Sequence, residues 1–303
     1  MSSSTITVEA GSRTHWTTRA LDYLELTKPK IAVMVLVTVA AAAVVASWGQ
    51  PDPLAVVHAL LGTTLVAASA SALNQWLERN DDAQMKRTAT RPLPAGRLTS
   101  REVLFFAALT IIAGLVYLSL LVNWQTAAWG LATWVVYVWI YTPLKYRTSL
   151  NTAVGAVSGA LPVLMGWSAV GGALDVRALS MFLIVFLWQF PHFMAIAWMY
   201  RTEYRRAGVK MLTVVESSGR SAGYQAVLGA LALLPISLIP ALDIPGPGKV
   251  AYALLVLAIG CGQLACAANF LRDRSDRTSR VLLRASLVYL PTMMFLLMQL
   301  PLL

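Results

Sequence analysis

Apolar runs of about twenty residues recur along almost the whole chain, and no other feature restricts its fold so severely. Nine are readable, near residues 30–48, 54–77, 102–122, 124–141, 150–170, 178–200, 221–240, 250–271 and 281–302. Each suffices to cross a hydrocarbon core of about 30 Å. Lipid offers no partner for backbone N–H and C=O groups, so such runs must be helices. Composition agrees, with 57% of residues hydrophobic, 13% charged and a mean hydropathy of +0.64, against about 25% charged in a soluble domain. The expected fold class is therefore all-α, a membrane protein of nine transmembrane helices. Residues 1–18 are expected to form a disordered cytoplasmic tail, and residues 19–303 a single domain.

The formal net charge of +10 would suit a nucleic-acid partner if the cations formed a patch, but they are distributed by topology. With the N-terminus inside, 22 of the 24 Lys and Arg fall on cytoplasmic segments, and only Arg177 and Lys249 fall outside. The positive-inside rule then predicts a multi-pass protein of the cell membrane, N-terminus cytoplasmic and C-terminus outside. Anionic inner-leaflet lipid and an anionic substrate account for the basicity, and no nucleic acid is expected. Cys261 and Cys266, five apart in one apolar run, read as packing residues without metal-ligand spacing. His58, a lone His early in the second run, reads as structural.

The chemistry concentrates after the second run, in Asn74–Gly96, NQWLERNDDAQMKRTATRPLPAG. Asn74, Glu78 and Asp82 are spaced i, i+4, i+8, so a continuous helix would hold them within about 80° of one face. Three oxygen-bearing side chains in a column suit a hard cation such as Mg²⁺, which leaves coordination positions for water and phosphate. Arg87 and Arg91 bring phosphate-binding groups to the same place. A solvated, charged helix end is the other reading.

Two further inner loops mix cations with oxygen donors. Tyr141–Asn151, YTPLKYRTSLN, offers Tyr141, Lys145, Arg147 and Asn151, which suit a diphosphate or serve only as topological charges and a tyrosine anchor. Arg201, Glu203 and Tyr204 follow WQFPHFMAIAWMY. In that run His192, beside Pro191, is either a functional intramembrane histidine or a packing residue. Gly155, Gly159 and Gly166 give the fifth run small-residue faces for close packing or a flat ligand.

Those stretches, with the TKPK lead-in, the NTAVGAVSGALPVLMGW continuation and the RTEYRRAGVKML end, make the chain resemble the UbiA-type intramembrane prenyltransferases over nearly its whole length. The PHF and AGVKML pieces resemble the branch that uses haem as acceptor. The resemblance implies a bundle of nine helices around a lateral cavity with polar cytoplasmic caps. It makes Asn74, Glu78 and Asp82 the first Mg²⁺–diphosphate motif, followed by basic Lys86, Arg87 and Arg91. Tyr141 and Lys145 match the Tyr-xxx-Lys element, with Arg147 and Asn151 following as in the haem branch.

Asn80 and Glu203 stand where that branch commonly has Asp, and the paired-aspartate second motif of other members is absent. The implied reaction joins farnesyl diphosphate to a vinyl group of haem B, with water added. Arg201, Glu203 and Tyr204 would bind substrate, Tyr204 or Trp188 would face the carbocation, and His192 would contact haem iron or a propionate. Haem A synthase or terminal-oxidase assembly proteins are the implied partners. A quinone precursor as acceptor, or a non-catalytic haem-handling or transport role, are the alternatives.

Overall fold

The computed structural model describes residues 15–242 and 247–302. Residues 1–14 of the expected tail lie outside the described residues, while 15–18 belong to a helix, α1 (His15–Leu26). α1 is held to one end of the bundle by Arg97, which donates to Asp22 (2.7 Å) and Glu25 (2.6 Å). Arg19 also pairs with Glu102.

The long helices are α2 (Pro29–Ala46), α3 (Pro53–Leu77), α4 (Ser100–Leu121), α5 (Trp124–Val135), α6 (Asn151–Ala169), α7 (Val176–Met199), α8 (Arg220–Ile236), α9 (Pro247–Arg272) and α10 (Asp276–Gln299). Among the described residues, eight helices are long and apolar enough to cross a membrane, and the chain is a multi-pass membrane protein. The fourth run, near 124–141, differs from the expectation. It forms twelve residues of α-helix and then a six-residue π-helix, Val136–Tyr141.

Local chemistry fixes where the helices begin. The Asp52 side chain accepts from Leu54 N–H ahead of Pro53, and Thr99 forms a capping box with Glu102. The Asn123 and Asp175 side chains cap α5 and α7. Each satisfies an amide that a helix start leaves unpaired.

Each helix from α2 to α10 packs on the next in sequence, and α10 returns to α2, closing a ring. The two most extensive contacts across it are α2 on α6 and α7 on α10. The largest buried cluster gathers Trp167, Met181, Tyr252 and Met293 on this side. Phe105, Ile112, Leu120, Leu228, Leu254 and Val288 face outward, as a lipid-facing surface requires.

The α2–α6 crossing depends on Gly166, where a Cβ would meet the Val39 carbonyl oxygen at 2.0 Å. Backbone cannot yield as a flexible side chain would, so Gly166→Ala is expected to cost about 3 kcal/mol. A lowered melting temperature of the detergent-solubilised protein measures it, and an unchanged one counts against this crossing.

Candidate functional site

A cavity of about 360 Å³ lies inside the ring, charged at one end and apolar below. Asn74, Glu78, Asp82, Arg87, Arg91, Tyr141, Lys145 and Tyr204 all line it, so residues from all three inner segments meet. The geometry of the first three departs from one straight column. α3 ends at Leu77, Glu78 takes φ −92° and ψ 3°, and Arg79–Asp82 forms a separate turn. Asn74 and Asp82 are each 1% exposed and Glu78 7%.

These oxygens are occupied by cations. Lys145 donates to Glu78 Oε1 at 2.6 Å, and Arg91 to Asp82 Oδ2 at 2.6 Å. Lys28 donates to Asn74 Oδ1 at 2.6 Å, and the Asn74 amide donates to Thr142 Oγ1 at 3.1 Å. Burial alone would raise the Glu78 carboxyl, but Lys145 and Lys28 outweigh it and hold Glu78 below its ordinary range. Burial opposes the Lys145 charge as well, yet the Glu78 carboxylate beside it pushes that ammonium well above its usual value. Lys28 has no such carboxylate in contact. Burial and then repulsion from Arg91 bring it down to about 7.

The π-helix explains how Tyr141 arrives here. It sets Tyr137 and Tyr141 as neighbours, ring centroids 5.5 Å apart, both on the cavity. The Tyr141 ring lies against Gly155, where a Cβ would come within 2.7 Å of Cε2. Lys145 Nζ sits 4.6 Å from the Tyr141 centroid. A π-helical turn inside an α-helix often marks a functional position. Arg87 stacks over Tyr200 at 4.4 Å and reaches Tyr204 at 6.0 Å.

Several expected residues are not on the cavity. Lys86 and Arg147 are exposed, outside the lining, and their side chains make no contact among the described residues. Arg201 points to the surface, donating to Trp198 O and Asp276 Oδ1. Glu203 lies outside the lining with its Oε2 buried and unpartnered. His192 faces α10, its Nδ1 2.9 Å from Ser286 Oγ, stacked on Trp188 at 4.8 Å. Trp188 donates to the Ser286 carbonyl, so it too belongs to that interface.

Asn151 is a clasp, fully buried, its amide donating to Thr148 O and Lys210 O. The Lys210 amide in turn donates to Lys145 O at 2.7 Å, so two inner loops are tied directly behind the Lys145 side chain. Removing two buried hydrogen bonds costs about 1 kcal/mol each. Asn151→Ala is therefore expected to speed hydrogen exchange over 144–150 at least tenfold, and unchanged exchange would contradict the clasp.

Sequence reasoning missed Lys28, Tyr137 and Tyr146, which line the cavity, and Tyr200, which stacks on Arg87 beside it. Lys28 stood in plain view in TKPK, but its role depends on a left-handed backbone (φ 52°) that turns it inward as α2 begins.

Asn74, Glu78 and Asp82 supply hard oxygen donors, and one carboxylate oxygen of each acid stays outside the ion pairs. Among the described residues, no group of three His, Cys, Asp or Glu surrounds a single point. Two carboxylates and an amide fit a small hard cation that takes its other oxygens from water and a phosphate group.

Four cations and two carboxylates lie at the mouth of an apolar chamber within a helical ring, an arrangement that suits an amphiphile with an anionic head. Residues 35–296 match the UbiA prenyltransferase family, and the chain belongs to it. It is 42% identical over 277 residues to the protoheme IX farnesyltransferase of Rhodopirellula baltica, covering 89% of this chain and 96% of that one. The protoheme IX farnesyltransferase of Solibacter usitatus is 41% identical over 282 residues, covering 89% and 95%. Among solved structures, a digeranylgeranylglyceryl phosphate synthase superposes with a TM-score of 0.74 at 18% identity, over 94% of this chain and 97% of that one. A UbiA homolog from Archaeoglobus fulgidus bound to DMAPP and Mg²⁺ gives 0.67 at 14%, over 89% and 99%.

Proposed function

We infer that this prenyltransferase moves a farnesyl group from farnesyl diphosphate to a vinyl group of haem B, with addition of water, giving haem O and diphosphate. The arrangement that carries the reading is the excess of cations at the cavity mouth directly above an apolar chamber. Full-length relatives at about 40% identity bearing the name protoheme IX farnesyltransferase favour haem over a phenolic acceptor.

Lys28, Arg87, Arg91 and Lys145 would hold the diphosphate and neutralise charge as the C1–O bond breaks and the oxygen keeps the electron pair. A diphosphate beside Lys28 restores the proton that burial weakens. Asn74, Glu78 and Asp82 would hold Mg²⁺, which supplies Lewis-acid stabilisation of the leaving group when bound. Tyr141 and Tyr137 face the allylic cation with their rings, and the apolar lining keeps water from capturing it early. The vinyl π electrons then form the bond to C1. Water adds to the cation left on the acceptor and loses a proton. We also propose that the cation-rich end faces the cytoplasm.

Purified protein supplied with Mg²⁺, farnesyl diphosphate and haem B is expected to yield haem O by mass spectrometry, dependent on the metal. Prenylation of a quinone precursor with no haem product would overturn the reading.

A further inference from the structure

Only Thr27 and Lys28 join α1 to α2, and the backbone of this elbow decides whether the Lys28 side chain reaches the cavity. Lys28 holds φ 52° and ψ 61°. A side chain in this left-handed region crowds the following carbonyl, and a residue before proline, here Pro29, is steered toward extended backbone. Such a conformation persists only where surrounding contacts impose it.

Two neighbouring residues of α3 supply those contacts, one on each side of the elbow. After the turn, the Lys28 ammonium donates to Asn74 Oδ1 at 2.6 Å. Before it, the Gln75 amide donates to the Leu26 carbonyl at 2.8 Å, across 49 positions. Leu26 is the last residue of α1, and Pro29, three residues on, has no N–H to return to it. No backbone amide among the described residues reaches that carbonyl, so Gln75 is its donor. Gln75 is 1% exposed and Leu26 0%, and a buried carbonyl left without a donor is costly. Packing of Leu26 against Ala72, Leu73 and Leu98 holds α1 in place, but only the hydrogen bond orients the peptide that leads into Lys28. Asn74 lines the cavity and Gln75 does not, as befits residues about 100° apart on one helix.

We propose that Gln75 is a positioning residue: by holding the Leu26 carbonyl it keeps the elbow in the turn that carries the Lys28 ammonium to the cavity mouth. This rests on the prenyl-transfer reading of the same site, in which Lys28 meets the diphosphate. Without the bond, Lys28 relaxes to negative φ and its side chain leaves Asn74.

Gln75→Met keeps the length of the side chain and removes the donor. Gln75 Oε1 is buried without a partner, so the change deletes an unsatisfied oxygen along with the bond, and the variant is expected to fold. Gln75→Asn, one methylene short of Leu26, is expected to behave alike and takes its place if the methionine variant does not fold. Either is expected to lower kcat/KM for farnesyl diphosphate at least tenfold while the KM for haem B stays within threefold. Added to Lys28→Met, either should lower the rate no more than twofold further, because residues acting through one another are not additive. An equal loss in both backgrounds, or wild-type kcat/KM in a folded variant, would overturn the positioning role and leave the transferase reading intact. Thermal protection by farnesyl diphosphate reads the same coupling without an acceptor. A wild-type protein that makes no haem O, yet whose protection falls in Gln75→Met and no further in the double variant, would overturn the acceptor and keep the positioning role.

Discussion

Asp82→Ala is expected to lower haem O formation at least a thousandfold in membranes that contain normal amounts of the protein. Asp82 is 1% exposed and its Oδ2 is held by Arg91 at 2.6 Å. Removing it deletes one of the two carboxylates available to a cation at the cavity mouth and leaves the Arg91 charge without its partner. Metal stabilisation of a leaving group is worth several kcal/mol, and each 1.36 kcal/mol is a factor of ten in rate. Asp82→Asn separates the two contributions, because it keeps a hydrogen-bond acceptor for Arg91 but loses the negative charge. A rate within threefold of wild type in either variant would remove Asp82 from the metal role.

Lys145→Met carries the second large effect, and it acts on stability and activity by different routes. The Lys145–Glu78 pair is mostly buried, with side chains 17% and 9% exposed. Breaking such a pair leaves a buried charge uncompensated, at a cost of about 3 kcal/mol. Lys28, which also faces Glu78, recovers part of this. Adding Glu78→Gln to Lys145→Met should restore the melting temperature, because no lone carboxylate remains. It should not restore activity, because a cation for the departing diphosphate and a carboxylate for the metal are then both missing. A double variant that regains turnover would show the pair to be structural only.

How far the site was legible depends on how local its geometry is. The helices were, because a span of lipid imposes a length that composition alone reveals. Asn74, Glu78 and Asp82 were, because a spacing of four survives the break at Glu78. Lys145 and Tyr141 were reachable for the same reason, but their partners were not. Nothing in the spacing shows that Lys145 meets Glu78 across 67 positions, or that Val136–Tyr141 winds as a π-helix. Lys28 required a backbone angle that periodicity does not encode. His192, Arg201 and Glu203 lay in polar settings that resembled a third wall. The side chains of His192 and Arg201 turn to Ser286 and to Asp276, and Glu203 lies off the cavity lining with one carboxylate oxygen buried without a hydrogen bond. Side-chain direction at the end of a helix follows tertiary packing, which a single sequence does not carry.

The closure of the ring by α10 against α2 has a consequence for biogenesis. Of the described spans, α2 leaves the ribosome first and α10 last, so the seam between them stays open through insertion of all the others. Until that seam shuts, the flank of α2 that packs on α10 has no helix against it. Ribosome-stalled chains lacking α10 should therefore leave this flank of α2 accessible to cysteine labelling, and its protection should appear when the last helix inserts.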